Sequence, residues 1–504
     1  MSRMRSKPAS VPKRESGLLL AYYGDDFTGS TDALEQLTLA GVRTLLFRDA
    51  PSPARLARYD GLQAVGVAGM TRALGCKKLA QVLPPVLKKL KRLRPRHVHY
   101  KVCSTFDSSP DMGSIGRVME LAQPLFKGSL IPLLVAAPGL GRYTIFGNHF
   151  AQYGIGSSGA VHRLDRHPAA SQHPVTPMRE ADLRLHLSAQ TNWPIELFSV
   201  LSLDMPESDF RASWQKLLAR KPQAVLFDAI HSGHLGRIGR LLDELALVRQ
   251  PLFSVGSSGM ETALARNWAG DGLVTGKGLA VPGEARANLA GSGPGRLVLA
   301  GSGSCSPVTS GQIRWAMGAG FAGVRLDSRA CAHPRTAAQA ANRAVMEACR
   351  HLAHGRSVII HTTQSGAQPD VTRILGGRSA AVLGTLLGQV LGRVLESYCP
   401  VRMCVAGGDT SSYAARALGI EAVEMIAPLT PGAPLCRAHA PGHPIHGLEV
   451  VFKGGQVGAQ NYFEYLRSAS PPSQKSAPEN SECPKGRSNR NSARSARKSR
   501  TRWK

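Results

Sequence analysis

The stretch that decides the fold is Leu18-Leu-Leu-Ala-Tyr-Tyr-Gly-Asp-Asp-Phe-Thr-Gly-Ser-Thr-Asp32. Its apolar start predicts a buried strand over Leu18–Tyr23, and Gly24 ends that strand. Hydroxyl side chains at Thr28, Ser30 and Thr31 are good helix N-caps, so we expect the next helix over Thr31–Ala40. A buried strand that turns directly into a helix is typical of α/β proteins.

Two adjacent carboxylates, Asp25 and Asp26, stand between the strand and the helix. In open α/β sheets ligands bind at the carboxyl ends of the strands, near helix N-termini. A carboxylate pair in this place can orient a substrate hydroxyl, accept its proton or hold a metal ion. The plainer alternative is that one carboxylate caps the helix and the other is solvated.

The length and composition indicate a two-domain α/β protein. At 504 residues with 43% apolar residues, the chain exceeds one ordinary core. It has no run of about 18 apolar residues and no apolar segment typical of a secretory signal, so we expect no membrane partner. The nine cysteines form no CxxC pair, which favours a reduced, cytoplasmic setting and predicts no metal-ligating residues.

The net charge of +28 is spread unevenly along the chain. Residues 1–16 are basic, and we expect them to form a disordered arm. Residues 468–504 are rich in Ser, Pro, Lys and Arg, and we expect them to form a disordered tail. The tail lacks interleaved aromatic residues apart from Trp503, so nucleic acid is not favoured as a partner. The remaining chain is still basic, which suits anionic ligands.

Apolar runs alternate with helical patterns, which predicts two domains, each a mainly parallel sheet flanked by helices. A Gly/Pro-rich linker is expected at 281–295, between a substrate-binding domain at 17–280 and a nucleotide-binding domain at 296–467. The pattern fails between Gly139 and Met178. We expect an irregular, ligand-facing loop there, which holds Arg142 and Asn148.

Three predicted strands of the second half end in glycine loops. Their residues are Ser302 and Ser304, then Gly407, Gly408, Asp409 and Thr410, then Gly454 and Gly455. Glycine lets backbone N–H groups approach a phosphate, and hydroxyl side chains add donors. No loop is a Walker A motif or a complete GxGxxG. Carboxylates in one domain and phosphate loops in the other are typical of a kinase with its active site in the interdomain cleft.

Several motifs together resemble the four-carbon acid sugar kinase family, which includes D-threonate, D-erythronate and 3-oxo-tetronate kinases. The resemblance covers residues 18–466 and is carried by segments in the same order along the chain. These are Gly24-Asp-Asp-Phe-Thr-Gly-Ser-Thr-Asp32, Lys101-Val-Cys-Ser-Thr-Phe-Asp-Ser-Ser109, Leu140-Gly-Arg-Tyr with Gly147-Asn148, His173-Pro-Val-Thr-Pro-Met178, Gly301-Ser-Gly-Ser-Cys-Ser306, Gly407-Gly-Asp-Thr410 and Lys453-Gly-Gly-Gln-Val-Gly458. The resemblance implies phosphorylation of the terminal hydroxyl of a sugar acid, with ATP and Mg²⁺ as cofactors.

The resemblance also implies site residues. Asp25, Asp26 and Thr28 would line the sugar-acid site, with Lys101, Ser104, Arg142 and Asn148 as partners, and the three glycine loops would surround ATP. We expect Asp26 to orient or deprotonate the acceptor hydroxyl, with Asp25 as the second candidate, and Arg142 or Lys101 to bind the substrate carboxylate.

The segment Cys103-Ser-Thr-Phe-Asp107 looks more like the 3-oxo-tetronate kinase branch. Two other functions stay open at this point: an NAD(P)-linked sugar-acid dehydrogenase, and a basic protein that binds nucleic acid or a protein partner. The chain is also compatible with a homo-oligomer.

Overall fold

The computed structural model describes residues 17–126, 130–153, 159–173, 175–249, 251–274, 296–362, 375, 378–398 and 402–468. The expected arm, linker and tail therefore lie outside the described residues, apart from Ser468. None of the helices in the described ranges combines the length and the apolarity that crossing a membrane requires.

The strands alternate with helices, as the sequence predicted. In chain order the strands are β1 Leu20–Gly24, β2 Thr44–Phe47, β3 Ala64–Ala68, β4 His97–Lys101, β5 Ile131–Leu134, β6 Arg142–Ile145, β7 Asn148–Gln152, β8 Val161–Arg163, β9 Ile195–Phe198, β10 Ala224–Phe227, β11 Leu252–Gly256, β12 Val298–Ser302, β13 Ala322–Arg325, β14 Val358–His361, β15 Arg402–Ala406, β16 Ala422–Thr430, β17 Ala433–His439 and β18 Glu449–Lys453.

The helices cover both faces of the sheet. They are α1 Phe27–Leu39, α2 Pro53–Leu56, α3 Cys76–Arg92, α4 Ile115–Ala122, α5 Leu183–Ser188, α6 Val200–Asp204, α7 Glu207–Ala219, α8 Ser232–Val248, α9 Gly259–Gly270, α10 Pro307–Gly318, α11 Pro334–Ala353, α12 Ser379–Ser397, α13 Gly408–Ala417 and α14 Tyr462–Arg467.

Fifteen of the described strands form one sheet, in the order β13-β14-β12-β15-β18-β17-β16-β2-β3-β1-β4-β11-β5-β10-β9. Each half is mainly parallel, which confirms the predicted fold class. The halves join where β16 pairs antiparallel with β2, with Ala422 opposite Phe47. The two domains therefore share a continuous sheet.

Helix α1 lies at the junction of the two halves. Its Leu34 and Leu37 are fully buried and belong to the same core cluster as Val423 and Phe452 of the C-terminal half. Burying a leucine side chain contributes roughly 1.5–3 kcal/mol. Because α1 follows directly on Asp25 and Asp26, this shared core fixes both carboxylates relative to both domains.

Three sequence expectations are wrong. Helix α1 begins at Phe27 rather than Thr31, because the Asp26 carboxylate caps it by accepting from the Gly29 N–H. The apolar pattern of Ile195–Leu201 also predicts a single strand, but the strand ends at Phe198, because Val200 begins helix α6 and donates its N–H to Asp228.

The third correction concerns the segment between Gly139 and Met178, which was expected to be irregular. Its described part contains β6, β7 and β8, an antiparallel three-stranded sheet separate from the main one. The turn between β6 and β7 places Phe146 and Gly147 at φ 51° and 83°. Both N–H groups of that turn donate to Asp228, which stabilises the strained geometry.

Candidate active site

The acidic loop after β1 is organised by Arg72, which follows β3 in a short 3-10 helix. Its Nε and Nη2 donate to the two Asp25 oxygens at 3.2 and 2.9 Å, and its Nη1 lies 2.8 Å from Asp26 Oδ2. Both carboxylates are almost fully buried. Burial raises the pKa of Asp25 to about 6, although the Arg72 charge lowers it.

The Asp26 carboxylate has a structural role as well as the expected chemical one. Its Oδ1 accepts from the Gly29 N–H at 2.6 Å, and its Oδ2 accepts from the Thr28 hydroxyl at 2.9 Å. Asp26 is therefore the helix cap that the plainer alternative described. A carboxylate fixed by three neighbours at a helix N-terminus is also well placed to accept a hydrogen bond from a substrate hydroxyl.

Lys101 ends β4, beside β1, and lies under the acidic loop. The Asp25 N–H donates to the Lys101 carbonyl at 2.9 Å. The Lys101 ammonium donates to the Val102 carbonyl at 2.9 Å and lies 3.3 Å from Asp32 Oδ2. Burial lowers the pKa of Lys101, but the Asp32 and Glu261 carboxylates raise it above its usual value. This buried cation is paired with Asp32, and its charge also lowers the pKa of Asp25.

Arg142, at the start of β6, is held mainly by the backbone. Its Nη1 donates to the carbonyls of Leu140, Gly141 and Gln152 at 3.0, 3.3 and 3.0 Å. Its Nε is buried without a partner among the described residues. Part of the guanidinium is therefore fixed structurally, and Nε is the donor that a ligand could use.

Ser104 and Asn148 are placed differently from each other. The Ser104 carbonyl accepts from His149 Nε2 at 2.8 Å, so β7 contacts the loop after β4 through His149. Side chains alternate along a strand, which places Asn148 on the opposite face of β7. Burial lowers the pKa of His149 to about 4, so its ring is neutral at pH 7. Ser104 therefore contacts His149, whereas the Asn148 side chain donates to the Phe146 carbonyl at 3.5 Å.

The three glycine loops follow β12, β15 and β18, which are neighbours in the sheet. The Gly303 N–H donates to the Ala406 carbonyl at 3.3 Å, and the Gly407 N–H donates to the Lys453 carbonyl at 2.9 Å. Gly407 has φ of 118°, which other residues rarely adopt. A Cβ atom on Gly455 would lie 2.7 Å from Ser304 Oγ. Only glycine allows these loops to pack this closely.

Several hydroxyl groups around these loops lack a protein partner. Within the described part of the chain, the buried Oγ atoms of Ser302, Ser306 and Ser310 make no hydrogen bond. Ser306 occupies the N-cap position of α10 without a side-chain cap bond, and Ser310 lies in the first turn of that helix, where its N–H donates to the Ser306 carbonyl. Buried donors without partners are costly unless a ligand satisfies them. Their position beside glycine loops and a helix N-terminus fits the phosphates of a nucleotide such as ATP.

The acidic loop and the second glycine loop meet directly. Asp26 Oδ2 faces Gly408, the first residue of α13. The Phe27 N–H donates to Ser412 Oγ at 3.1 Å, and the Phe27 and Phe452 rings lie 4.3 Å apart. Asp409 is exposed at the second position of α13. Neighbouring protein atoms still desolvate its carboxyl group and raise its pKa; the Arg72 charge lowers that pKa and the Asp26 charge raises it.

The sequence reasoning did not identify Arg72 or Asp32 as site residues. Neither residue is marked by a pattern in the local sequence: Arg72 reaches Asp25 through the order of the strands in the sheet, and Asp32 reaches Lys101 from helix α1.

A separate cluster of possible metal ligands lies elsewhere in the N-terminal half. The ligand atoms of Asp204, His231 and His234 are within 4.8 Å of one another. Both rings accept a backbone N–H at Nδ1, so the neutral rings carry their protons on Nε2, facing Asp204. That arrangement disfavours metal binding.

The two halves of the chain match two different families of domains. Residues 20–264 match the family of sugar-binding N-terminal domains, and residues 298–463 match the family of nucleotide-binding C-terminal domains. A 3-oxo-isoapionate kinase of Paraburkholderia graminis is 42% identical over 461 residues, covering 90% of this chain and 94% of that protein. A 3-oxo-tetronate kinase of Pseudomonas savastanoi pv. phaseolicola is 29% identical over 455 residues, covering 88% and 96%.

Solved structures show the same fold. A crystal structure from Salmonella typhimurium LT2 has a TM-score of 0.68 at 24% identity and covers 89% of this chain and 98% of its own. One from Haemophilus influenzae has a TM-score of 0.60 at 20% identity, covering 88% and 98%.

Proposed function

The chain belongs to the acid sugar kinase family, and from this premise we propose that it transfers the γ-phosphate of ATP to the terminal hydroxyl of a four-carbon sugar acid. The candidates are a 3-oxo-tetronate, threonate or erythronate, and the 42% identical relative adds 3-oxo-isoapionate. The observation that carries the proposal is the contact of the Asp26 carboxylate with Gly408, which brings the acidic loop to the nucleotide loops.

In the proposed reaction the terminal hydroxyl donates a hydrogen bond to Asp26 and loses its proton to that carboxylate as its oxygen attacks the γ-phosphorus. The bond from that phosphorus to the bridging oxygen of ADP breaks, so ADP leaves with the electron pair. Asp25 stays ionised through Arg72, which also orients Asp26. Lys101 and Arg142 Nε are the groups proposed to bind the substrate carboxylate.

Mg²⁺ would arrive with ATP and neutralise charge on the phosphates. The exposed Asp409 carboxylate at the start of α13 is an oxygen donor of the kind that Mg²⁺ accepts. The described cysteines, Cys76, Cys103, Cys305, Cys331, Cys349, Cys404 and Cys436, are free thiols. We therefore propose the cytoplasm, where thiols stay reduced, as the location of the enzyme.

The test is a coupled assay of ADP release with Mg-ATP and a panel of acids: D- and L-threonate, D- and L-erythronate, the 3-oxo-tetronates and 3-oxo-isoapionate. Turnover with one acid far above the others would identify the substrate. Binding of ATP without turnover on any acid would contradict the proposed substrate class. Failure to bind ATP would contradict the kinase reaction itself.

A further inference from the structure

Lys453 is the last residue of β18 and is fully buried at the base of the third glycine loop. Its Nζ donates to Thr309 Oγ1 at 3.1 Å and to the Gly454 carbonyl at 3.0 Å. Thr309, in α10, donates in turn to the Gly455 carbonyl at 2.8 Å. One ammonium group therefore ties the loop after β18 to the helix that begins beside the first glycine loop.

No carboxylate in the described residues pairs with this ammonium group. Among the described residues, the ionisable side chain that acts on its pKa is the Cys404 thiol on β15, and the Tyr462 ring of α14 lies 5.4 Å from Nζ. An unpaired buried cation is costly. The loops that it holds carry backbone N–H groups and unpartnered serine hydroxyls, which suit an anion. A bound triphosphate would supply the missing negative charge.

We propose that Lys453 is a positioning residue of the nucleotide site: it fixes the Gly454–Gly455 loop against Thr309, and it takes up a proton when the nucleotide phosphates bind. This inference rests on the proposed use of ATP and deepens it. Lys453 acts through the segments that it holds and through its charge, so its role differs from that of a group in direct contact with the reacting atoms.

The surroundings of Lys453 determine how the affinity for the nucleotide changes with pH. Burial lowers the pKa of its ammonium group to about 8. A nearby polyphosphate favours the charged form and raises that pKa again. Below pH 7 the group is protonated with or without nucleotide. As the pH rises past 8, the free protein loses this proton, and nucleotide binding must restore it. Affinity for the nucleotide therefore falls as the pH rises from 7 to 9.

Other titratable groups around β18 can be separated from Lys453. Burial raises the pKa of Cys404 to about 12 and that of Tyr462 well above its usual value, so both stay neutral in this range. The helices packed on β18 also carry Glu35, in α1, and Asp409, in α13, whose pKa values are raised. Their titration persists in Lys453 variants, so a comparison with the variant removes their contribution.

The experiment is isothermal titration calorimetry of the full chain with the magnesium complex of a non-hydrolysable ATP analogue. Titrations at pH 7 and pH 9, each in two buffers of different ionisation enthalpy, give the dissociation constant and the number of protons taken up. The wild type is expected to bind about tenfold more weakly at pH 9 and to take up a large fraction of one proton there. Adenosine, which lacks phosphates, should show neither effect.

Three variants complete the test. Lys453→Met, which keeps the length and removes the charge, should bind weakly at both pH values and should lose the part of the proton uptake that is due to Lys453. Lys453→Arg, which stays charged, should keep its affinity at pH 9. Lys88→Met, on the exposed face of α3, should behave as wild type.

Proton uptake in Lys453→Met as large as in the wild type, or wild-type affinity that does not change with pH, would overturn the inference. If Lys453→Met does not fold, Lys453→Arg still decides the question, because it stays charged at pH 9 and should bind there with less proton uptake than the wild type. A wild type that does not bind the ATP analogue at all would instead overturn the proposed function.

Discussion

A Cβ atom on Gly408 would lie 3.0 Å from Asp26 Oδ2, so the carboxylate of the sugar-binding half rests against the backbone of the nucleotide-binding half. This contact is the point where an acceptor hydroxyl held by Asp26 could meet a phosphate held at the N-terminus of α13. Effective phosphoryl transfer depends on this kind of positioning, because a misplacement of about 1 Å can cost 10²-fold in rate.

The first prediction tests this contact through Gly408→Ala. The added methyl group must displace the Asp26 carboxylate by a few tenths of an ångström. We expect kcat with the best sugar acid to fall about tenfold or more, while nucleotide affinity changes little. Steady-state kinetics and calorimetry with the ATP analogue measure the two effects. The control is Gly236→Ala in α8, where a Cβ meets nothing within 4 Å. Unchanged kcat in Gly408→Ala would contradict the positioning role of this contact.

The second prediction concerns the proposed base. Asp26→Asn preserves the helix cap, since asparagine is an equally good N-cap. It removes the proton acceptor, so we expect turnover to fall by about 10²–10⁴-fold with the fold intact. Circular dichroism and thermal unfolding check the fold, and the ADP-release assay measures turnover. Asp60→Asn, at an exposed position, serves as the control. Turnover in Asp26→Asn at the wild-type level would exclude Asp26 as the base.

The third prediction concerns Arg72, which contacts both carboxylates at once. A lysine has a single ammonium group and cannot reproduce the planar fork. We expect Arg72→Lys to lower kcat by about 10²-fold, and Arg72→Met to have a larger effect. Removing the cation should also raise the pKa of Asp25 above its present value of about 6, so the acid limb of the activity profile should move to higher pH in Arg72→Met.

The matched control for Arg72 is Arg220→Lys. The Arg220 side chain is 58% exposed, and its Nη1 lies 3.3 Å from Glu196 Oε2. Surface pairs of this kind contribute little, so that variant should keep wild-type activity. An acid limb that stays at the same pH in Arg72→Met would show that Asp25 does not depend on the Arg72 charge.

The sequence predicted what depends on local pattern. Asp25 and Lys101 were expected at one site from the resemblance to the kinase family, and the pairing of Gly24 with Lys101 shows that β1 and β4 are neighbours. Arg72 was not predicted, because its place beside Asp25 depends on β3 lying on the other side of β1. No local pattern encodes that order. Strand β17 was also missed, although the Pro431-Gly432 turn between two apolar runs is a hairpin signal.

The last prediction concerns Glu35, which joins the two halves by accepting the Gly432 N–H. Glu35 is buried in α1, and burial raises its pKa to about 8 even though the Gly432 N–H lowers it. The folded protein therefore keeps this proton to a higher pH than the unfolded chain. Stability due to Glu35 is fully present below about pH 4.5 and is lost as the pH rises through 8.

Glu35→Gln is a close substitute for the protonated acid and keeps an acceptor for the Gly432 N–H. We expect it to be nearly neutral at pH 5 and to stabilise the protein at pH 9 by on the order of 2–4 kcal/mol relative to wild type. Urea unfolding at pH 5, 7 and 9 measures the difference. Glu261, whose pKa burial also raises to about 8, should leave a residual loss of stability in the variant. Glu347→Gln, on the exposed face of α11, should follow the wild type at each pH. If Glu35→Gln loses as much stability as the wild type between pH 5 and pH 9, the Glu35 carboxylate is not the buried acid that links the two halves.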